Sequence, residues 1–355
     1  MKRFAYIDAL RGYAILSVII AHVALAVVPS DAIGQKIVQS GARGVQLFFV
    51  TSAIALMFAW RSHANGTTAF YIRRLFRIAP MLWLAILVTF ALNAIAAPSN
   101  LASWDQIAAT ALFLHGLTPQ WINTAVAGSW TIAVEATFYL LFPLIVVCVT
   151  SLRRAAVALV VSFAVAATGW FLLLTYAQDI GAEPSTWRSF AFMSFAVQSP
   201  CFMIGVGTYF LIVRSDISDR TAMLAGIAAL MLVGAMCVVT TSSATYIGFA
   251  LACGALALAF SHDRLRVLVN RPICALGLIS YSAYFWHFLV LKLLNHFAST
   301  SSFATLLAVV LSITIVLSAA TYVMVERPLI AAGARLARLV SNNRHRKYLT
   351  TVPAE

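Results

Sequence analysis

Charge is what this sequence has least of. Of its 355 residues only 10% are Asp, Glu, Lys or Arg, and only 11 are acidic. A water-soluble chain carries about 25% charged residues, so a soluble globular fold is excluded. Cysteine is scarce as well: Cys148, Cys201, Cys237, Cys253 and Cys274 all lie inside apolar stretches, with no short ligand-type spacing. They read as small buried hydrophobes, and no metal centre is expected. No soluble basic domain is present to hold a duplex, so the net charge of +13 does not point to nucleic acid. The first apolar stretch lacks a small-residue cleavage site and further apolar runs follow at once, so it reads as a span and not as a secretory leader. Internal repeats, low-complexity tracts and an appended soluble domain are likewise missing from the pattern.

What is there is apolar. Hydrophobic residues make up 62% of the chain, and the mean hydropathy is +0.92. Lipid leaves every backbone polar group to be satisfied within the chain. The expected fold is therefore all-α, a polytopic transmembrane helical bundle. Runs long enough to span fall near 10–29, 43–60, 78–97, 129–150, 154–177, 190–213, 221–240, 244–261, 272–293 and 303–325, about ten spans. A short eleventh stretch at 107–117 fits a re-entrant or interfacial segment better than a crossing.

Basic loops orient the bundle. Lys2 and Arg3, the 61–77 loop with Arg61, Arg73, Arg74 and Arg77, the Arg153–Arg154 pair, Arg264, Arg266 and Arg271 all fall on one side if 107–117 does not cross. So does the tail with Arg335, Arg338, Arg344, Arg346 and Lys347. The positive-inside rule makes that side, and both termini, cytoplasmic. The division is a transmembrane unit over 1–330 and a basic cytoplasmic tail over 331–355.

Ionisable residues inside spans mark function by default. In Ile7–Val23, Arg11 and His22 sit eleven residues apart, roughly 16 Å along a helix. Counting from the ends of the runs places His22, Glu135 and His287 each roughly 9–10 Å below the outer face. A histidine with an orienting carboxylate is a general base; the same group is equally a proton relay, and a single intramembrane histidine can be interhelical glue. Ser52 lies slightly deeper, and serine often bonds its own helix backbone. On the inner side Arg73 and Arg77, spaced i, i+4, share a helix face. With Arg74 and Arg11 they fit either anionic-lipid anchoring or recognition of a phosphorylated donor. Glu326-Arg327-Pro328 reads as a local ion pair and a proline stop.

Six stretches, in order, resemble the acyltransferase-3 family of membrane acyltransferases. They are Ile7–His22, with ten residues between the arginine and the histidine; Gly44–Ser52; Tyr71–Pro80; Ser129–Glu135 with Tyr139 and Pro143; Ile279–His287; and Glu326-Arg327-Pro328. Ala53, Gln46 and Ala136 stand where the family usually has glycine, an aspartate and a second acidic residue. The extracytoplasmic hydrolase-like domain of some members is not expected.

The resemblance implies transfer of an acyl group, by family habit acetyl, from cytoplasmic acyl-CoA to a hydroxyl of an extracytoplasmic or membrane-linked glycan. It implies a multi-pass protein of a bacterial inner membrane, with membrane lipid and a glycan or glycolipid as partners, acetyl-CoA or another acyl-CoA as donor and no metal. By motif position Arg11 and His22 are the central pair. Arg73, Arg74, Arg77 and Arg11 take the donor, Glu135 and His287 support the chemistry, and Ser52, Trp130 and Tyr139 meet the acceptor. His22 takes the acceptor proton or is itself transiently acylated, with Glu135 orienting its imidazole. A proton-coupled transporter or lipid-intermediate flippase fits the same intramembrane charges. An inactive scaffolding relative is a third reading, against which the retained Arg11, His22 and Glu135 speak.

Overall fold

The computed structural model describes residues 5–29, 32–62, 66–181, 183–214, 217–239, 245–262, 267–294 and 302–351. Lys2, Arg3, Arg264 and Arg266 lie outside them, as do the side chains of Arg344, Arg346 and Lys347. The described residues form helices joined by turns and loops, with no strand. In chain order the α-helices are α1 (Ala5–Ala26), α2 (Ala32–Ser40), α3 (Gly44–Ser62), α4 (Gly66–Ala96), α5 (Trp104–Ala111), α6 (Trp130–Cys148), α7 (Leu152–Asp179), α8 (Pro184–Met193), α9 (Phe195–Ile212), α10 (Asp219–Val239), α11 (Thr245–Ser261), α12 (Arg271–Leu278), α13 (Ser280–Leu293), α14 (Phe303–Thr321) and α15 (Arg327–Thr351).

Among the described residues, eight stretches are long and apolar enough to cross a membrane. Helices α12 and α13, bent by 75° at Ile279, make a ninth if they form one span. The tenth expected run is α11, whose 17 residues rise about 25 Å. The stretch at 107–117 forms no crossing helix: α5 has 8 residues, about 12 Å, and is followed by a 3₁₀ turn at His115–Leu117.

Helix α1 runs through the middle because its residues are small or apolar on nearly every side. Ile7, Leu10, Ala14, Ile15, Val18, Ile19 and Val23 are all buried. Two glycines set how closely α12 lies against it. A Cβ on Gly12 would fall 2.1 Å from the Ile273 carbonyl oxygen, and one on Gly277 1.8 Å from that of Asp8. Small residues that let backbones approach in this way drive helix association in lipid, where no hydrophobic force acts between helices. On the far side of α3, the rings of Phe49 and Phe202 stack at 4.8 Å and those of Phe202 and Phe138 at 4.1 Å, locking α3, α9 and α6 together. Helix α7 stays at the periphery, with Val157, Val160, Val161, Phe171 and Leu172 exposed.

The last span does not stop at Pro328. A π-helical turn at Tyr322–Glu326 follows α14, and α15 continues from Arg327. Pro328 sits in the first turn of α15, where its missing N–H costs little. Helix α15 packs back onto α4, with Gly333 against Phe76 and Ala337 fully buried. The boundary at residue 330 thus falls within a continuous helix.

Candidate active site

The two ends of α1 open onto two different environments. Arg11 and His22, eleven residues apart, project within about 20° of the same helix face.

At the arginine end, α1, α3, α4, α6 and α13 surround a small cavity of about 60 Å³. Arg11, Arg77, Glu135, Tyr139, Tyr281 and Tyr284 line it, with Phe48, Phe49 and Ile132 among its apolar walls. One oxygen of Glu135 accepts hydrogen bonds from the Ser52 hydroxyl and the Tyr139 phenol, each at 2.5 Å. Tyr139 stands one turn after Glu135 on α6, the spacing that brings helix neighbours together. The Arg74 guanidinium lies over the Tyr139 ring at 5.8 Å and hydrogen-bonds its phenol. Arg11 is in electrostatic reach of Arg77, Glu135, Tyr139 and Asp8. A second buried carboxylate, Glu326, accepts a hydrogen bond from the Ser282 hydroxyl and faces Arg77 and Arg11 electrostatically. The Nε atoms of Arg11 and Arg74 are buried without a hydrogen-bond partner. An unused buried donor costs roughly 1–3 kcal/mol, more when charged.

At the histidine end, charge gives way to rings. His22 Nδ1 lies 2.9 Å from the Val18 carbonyl oxygen, and His287 Nδ1 3.0 Å from that of Ala283. His287 Nε2 is 3.3 Å from His22 Nδ1. Phe288 closes over both, with ring centroids 4.6 Å from His22 and 4.1 Å from His287. Tyr284 links the two ends. It lines the cavity, its ring is 5.7 Å from that of His287, and its hydroxyl donates to the Gly128 carbonyl at 3.1 Å.

The shared depth of His22, Glu135 and His287 needs correction. His22 and His287 do meet, but Glu135 hydrogen-bonds to neither and belongs with the arginines. The cause is the segment before α6. Residues 112–129 dip into the bundle, with His115, Ile122, Val126 and Ser129 buried. Gly128, at φ +79°, lies against Phe288 and Tyr284, and a Cβ there would sit 2.4 Å from the Phe288 ring. Helix α6 therefore starts near the histidines at Trp130, and Glu135, five residues on, lies about 7–8 Å further in. The His115 imidazole pins this dip by donating from Nε2 to the Ser129 carbonyl at 2.9 Å. Burial holds its proton affinity below the usual histidine range.

Of the arginines, Arg11 and Arg77 line the cavity, Arg74 lies behind it against the Tyr139 ring, and Arg73 is not in the lining. Two further expectations change. Ser52 spends its proton on Glu135 and not on its own helix. Glu326 does not pair with Arg327: the π-helical turn buries it, 2% exposed, against Ser282. Trp130 packs edge-on to Phe49 and beside Phe192, outside the cavity lining. Tyr281, which donates to the Ile78 carbonyl at 2.7 Å, and Ser282 were not singled out beforehand. Polar residues in the otherwise apolar run Ser280–Leu293 were the available signal. Gln46, at the position where the family has an acid, instead bonds Gln198 amide to amide at 3.1 Å.

Comparison with known proteins bears on what this arrangement does. The family model of the Acyltransferase domain, acyltransferase-3, matches residues 4–324. The chain belongs to the acyltransferase-3 family. It is a multi-pass membrane acyltransferase, and the match runs from α1 to residue 324, two residues short of Glu326. No curated protein and no solved structure gives a significant match.

Proposed function

We propose that this acyltransferase carries an acetyl group from acetyl-CoA to a hydroxyl of a membrane-linked or extracytoplasmic glycan, at a bacterial inner membrane with both termini cytoplasmic. The observation that supports it most is the placing of two unlike half-sites on the same face of α1. Arginine forks match phosphate oxygens in pairs. Arg11, Arg74 and Arg77, two of them with buried unpartnered Nε atoms, suit the anionic end of the donor. Its thioester arm then extends along α1 past Tyr284 towards His22.

At His22 the reaction is an acyl exchange with one proton in motion. The acceptor hydroxyl gives its proton to the imidazole as its oxygen attacks the thioester carbonyl. The C–S bond breaks, and the departing sulfur takes the proton back from His22. The ester and free CoA are the products. Glu135, tied to Ser52 and Tyr139, serves the donor end, where it holds Tyr139 and faces the guanidinium groups.

Inside-out membrane vesicles supplied with radiolabelled acetyl-CoA test this reading. Label enters the glycan fraction with the wild-type protein and not with His22→Ala at equal membrane content. Full labelling by His22→Ala would overturn the role of His22. Label crossing the membrane without covalent attachment would overturn transfer in favour of carriage.

A further inference from the structure

The histidine pair has a defined proton arrangement, and it follows from the two helix carbonyls. A carbonyl oxygen only accepts hydrogen bonds. His287 Nδ1, 3.0 Å from the Ala283 oxygen, must therefore carry the proton in the neutral ring, which leaves Nε2 as a lone pair. By the same reasoning His22 Nδ1, 2.9 Å from the Val18 oxygen, carries a proton. The lone pair of His287 Nε2 thus points at His22 Nδ1–H across 3.3 Å. His22 Nε2 is left as the basic nitrogen, and no hydrogen bond occupies it among the described residues.

Burial separates the roles of the two rings. His287 is 0% exposed, whereas His22 is half-buried. Among the described residues the electrostatic partner of His287 is His22, and no carboxylate lies in reach of either ring. Among the described residues, the titratable Tyr284 packs its ring against His287, with centroids 5.7 Å apart.

We infer that His287 is the positioning residue for His22, a neutral acceptor that fixes the base with Nε2 free and steadies it when it takes a proton. In a serine-histidine-aspartate triad a carboxylate does this; here a second imidazole stands in that place, and Glu135 does not. The proton count closes without His287 changing its own. The acceptor O–H proton goes to His22 Nε2, and Nδ1–H stays shared between the Val18 oxygen and His287 Nε2. The leaving sulfur then collects the Nε2 proton. A neutral partner suits this setting, since a buried carboxylate without a cation nearby would be costly in lipid. The inference rests on the acyl-transfer reading for its catalytic consequence, and on the geometry alone for the hydrogen bond.

Two variants and one spectrum test it. His287→Leu fills the space without an acceptor; His287→Gln keeps an acceptor oxygen. With radiolabelled acetyl-CoA in membrane vesicles, His287→Leu lowers kcat about 10–100-fold, the range for losing an orienting partner, with KM for acetyl-CoA unchanged. His287→Gln restores kcat to within about 3-fold, given that one retained hydrogen bond is the only contact at stake. Full kcat in His287→Leu, a rise in KM in place of a fall in kcat, or no rescue by Gln in a folded protein would each overturn it. Nitrogen-15 spectra of labelled histidines decide the hydrogen bond independently of activity. They show His287 protonated at Nδ1, with an Nε2 signal that shifts in His22→Ala. The opposite tautomer, or an Nε2 signal indifferent to His22→Ala, would overturn the pairing. A wild-type protein that labels no acceptor would remove the acyl-transfer reading and leave the spectrum to judge the pair.

Discussion

The arginine end and the histidine end of α1 solve opposite problems with the same few spans. At the arginine end, buried charge is tolerated because it is dense: Arg11, Arg74, Arg77, Glu135 and Glu326 lie in each other's fields, with Ser52, Tyr139 and Ser282 supplying hydroxyls. At the histidine end two neutral rings satisfy their Nδ1 atoms on their own helices and are roofed by Phe288. One end is suited to hold an anion, the other to hold a proton briefly. Under the proposed function the difference corresponds to donor binding at one end and chemistry at the other, and the variants below are ways to break that division.

The largest effect is expected from His22→Ala, which removes the base. General-base catalysis contributes about 10²–10⁴-fold, so kcat falls by that factor while KM for acetyl-CoA holds. Next comes Arg77→Ala. Hydrogen bonds to charged groups are worth about 1.5–3 kcal/mol, so donor affinity drops about 10–100-fold, read as KM at an unchanged kcat. Arg77→Lys recovers little of it, because an ammonium lacks the planar fork. Arg73→Ala, one turn away but off the cavity, changes donor affinity less than about 2-fold, in line with a surface basic residue. This pair sharpens the comparison by separating cavity arginines from membrane-surface ones.

A smaller effect is expected from Ser52→Ala. It removes one of the two hydroxyls on Glu135 and costs about 1–3 kcal/mol, seen as a lower melting temperature in detergent, with His22 chemistry intact in the surviving protein. The smallest effect belongs to the dip before α6. His115 is neutral in the fold because burial lowers its proton affinity. The unfolded segment titrates near pH 6.5 and so binds more protons below that value. The contribution of His115 is complete above about pH 6.5 and is lost as pH falls, by at most about 1.4 kcal/mol per pH unit. Hydrogen exchange over 112–129 checks this: after correction for intrinsic rates, protection falls between pH 7.5 and 5.5 in the wild type. The same comparison stays flat in His115→Phe.

Much of this was legible in the residues, and what was not has identifiable causes. Run lengths located the spans because lipid enforces helix on any apolar stretch of that size. The spacing of Arg11 and His22 announced one helix with two polar ends. The depth of Glu135 was misread because apolar length cannot tell a loop outside the bundle from one sunk into it; Ile122, Val126 and Gly128 look the same in either place. Which of Arg73, Arg74 and Arg77 faces the cavity was not legible, because i, i+3 and i, i+4 pairs are both neighbours on a helix; packing puts Arg77 in the lining and Arg74 on the Tyr139 ring. Glu326 was read as a local pair because nothing in the letters marks a π-helical turn, which rotates the following residues and buries the carboxylate beside Ser282.

The division of labour is tested most directly by calorimetric titration of acetyl-CoA into the purified protein and two variants. The account predicts that His22→Ala binds with the wild-type Kd although it transfers nothing, while Arg77→Ala binds at least about 10-fold more weakly. Equal Kd values for Arg77→Ala and the wild type, or a lost affinity in His22→Ala, would contradict it.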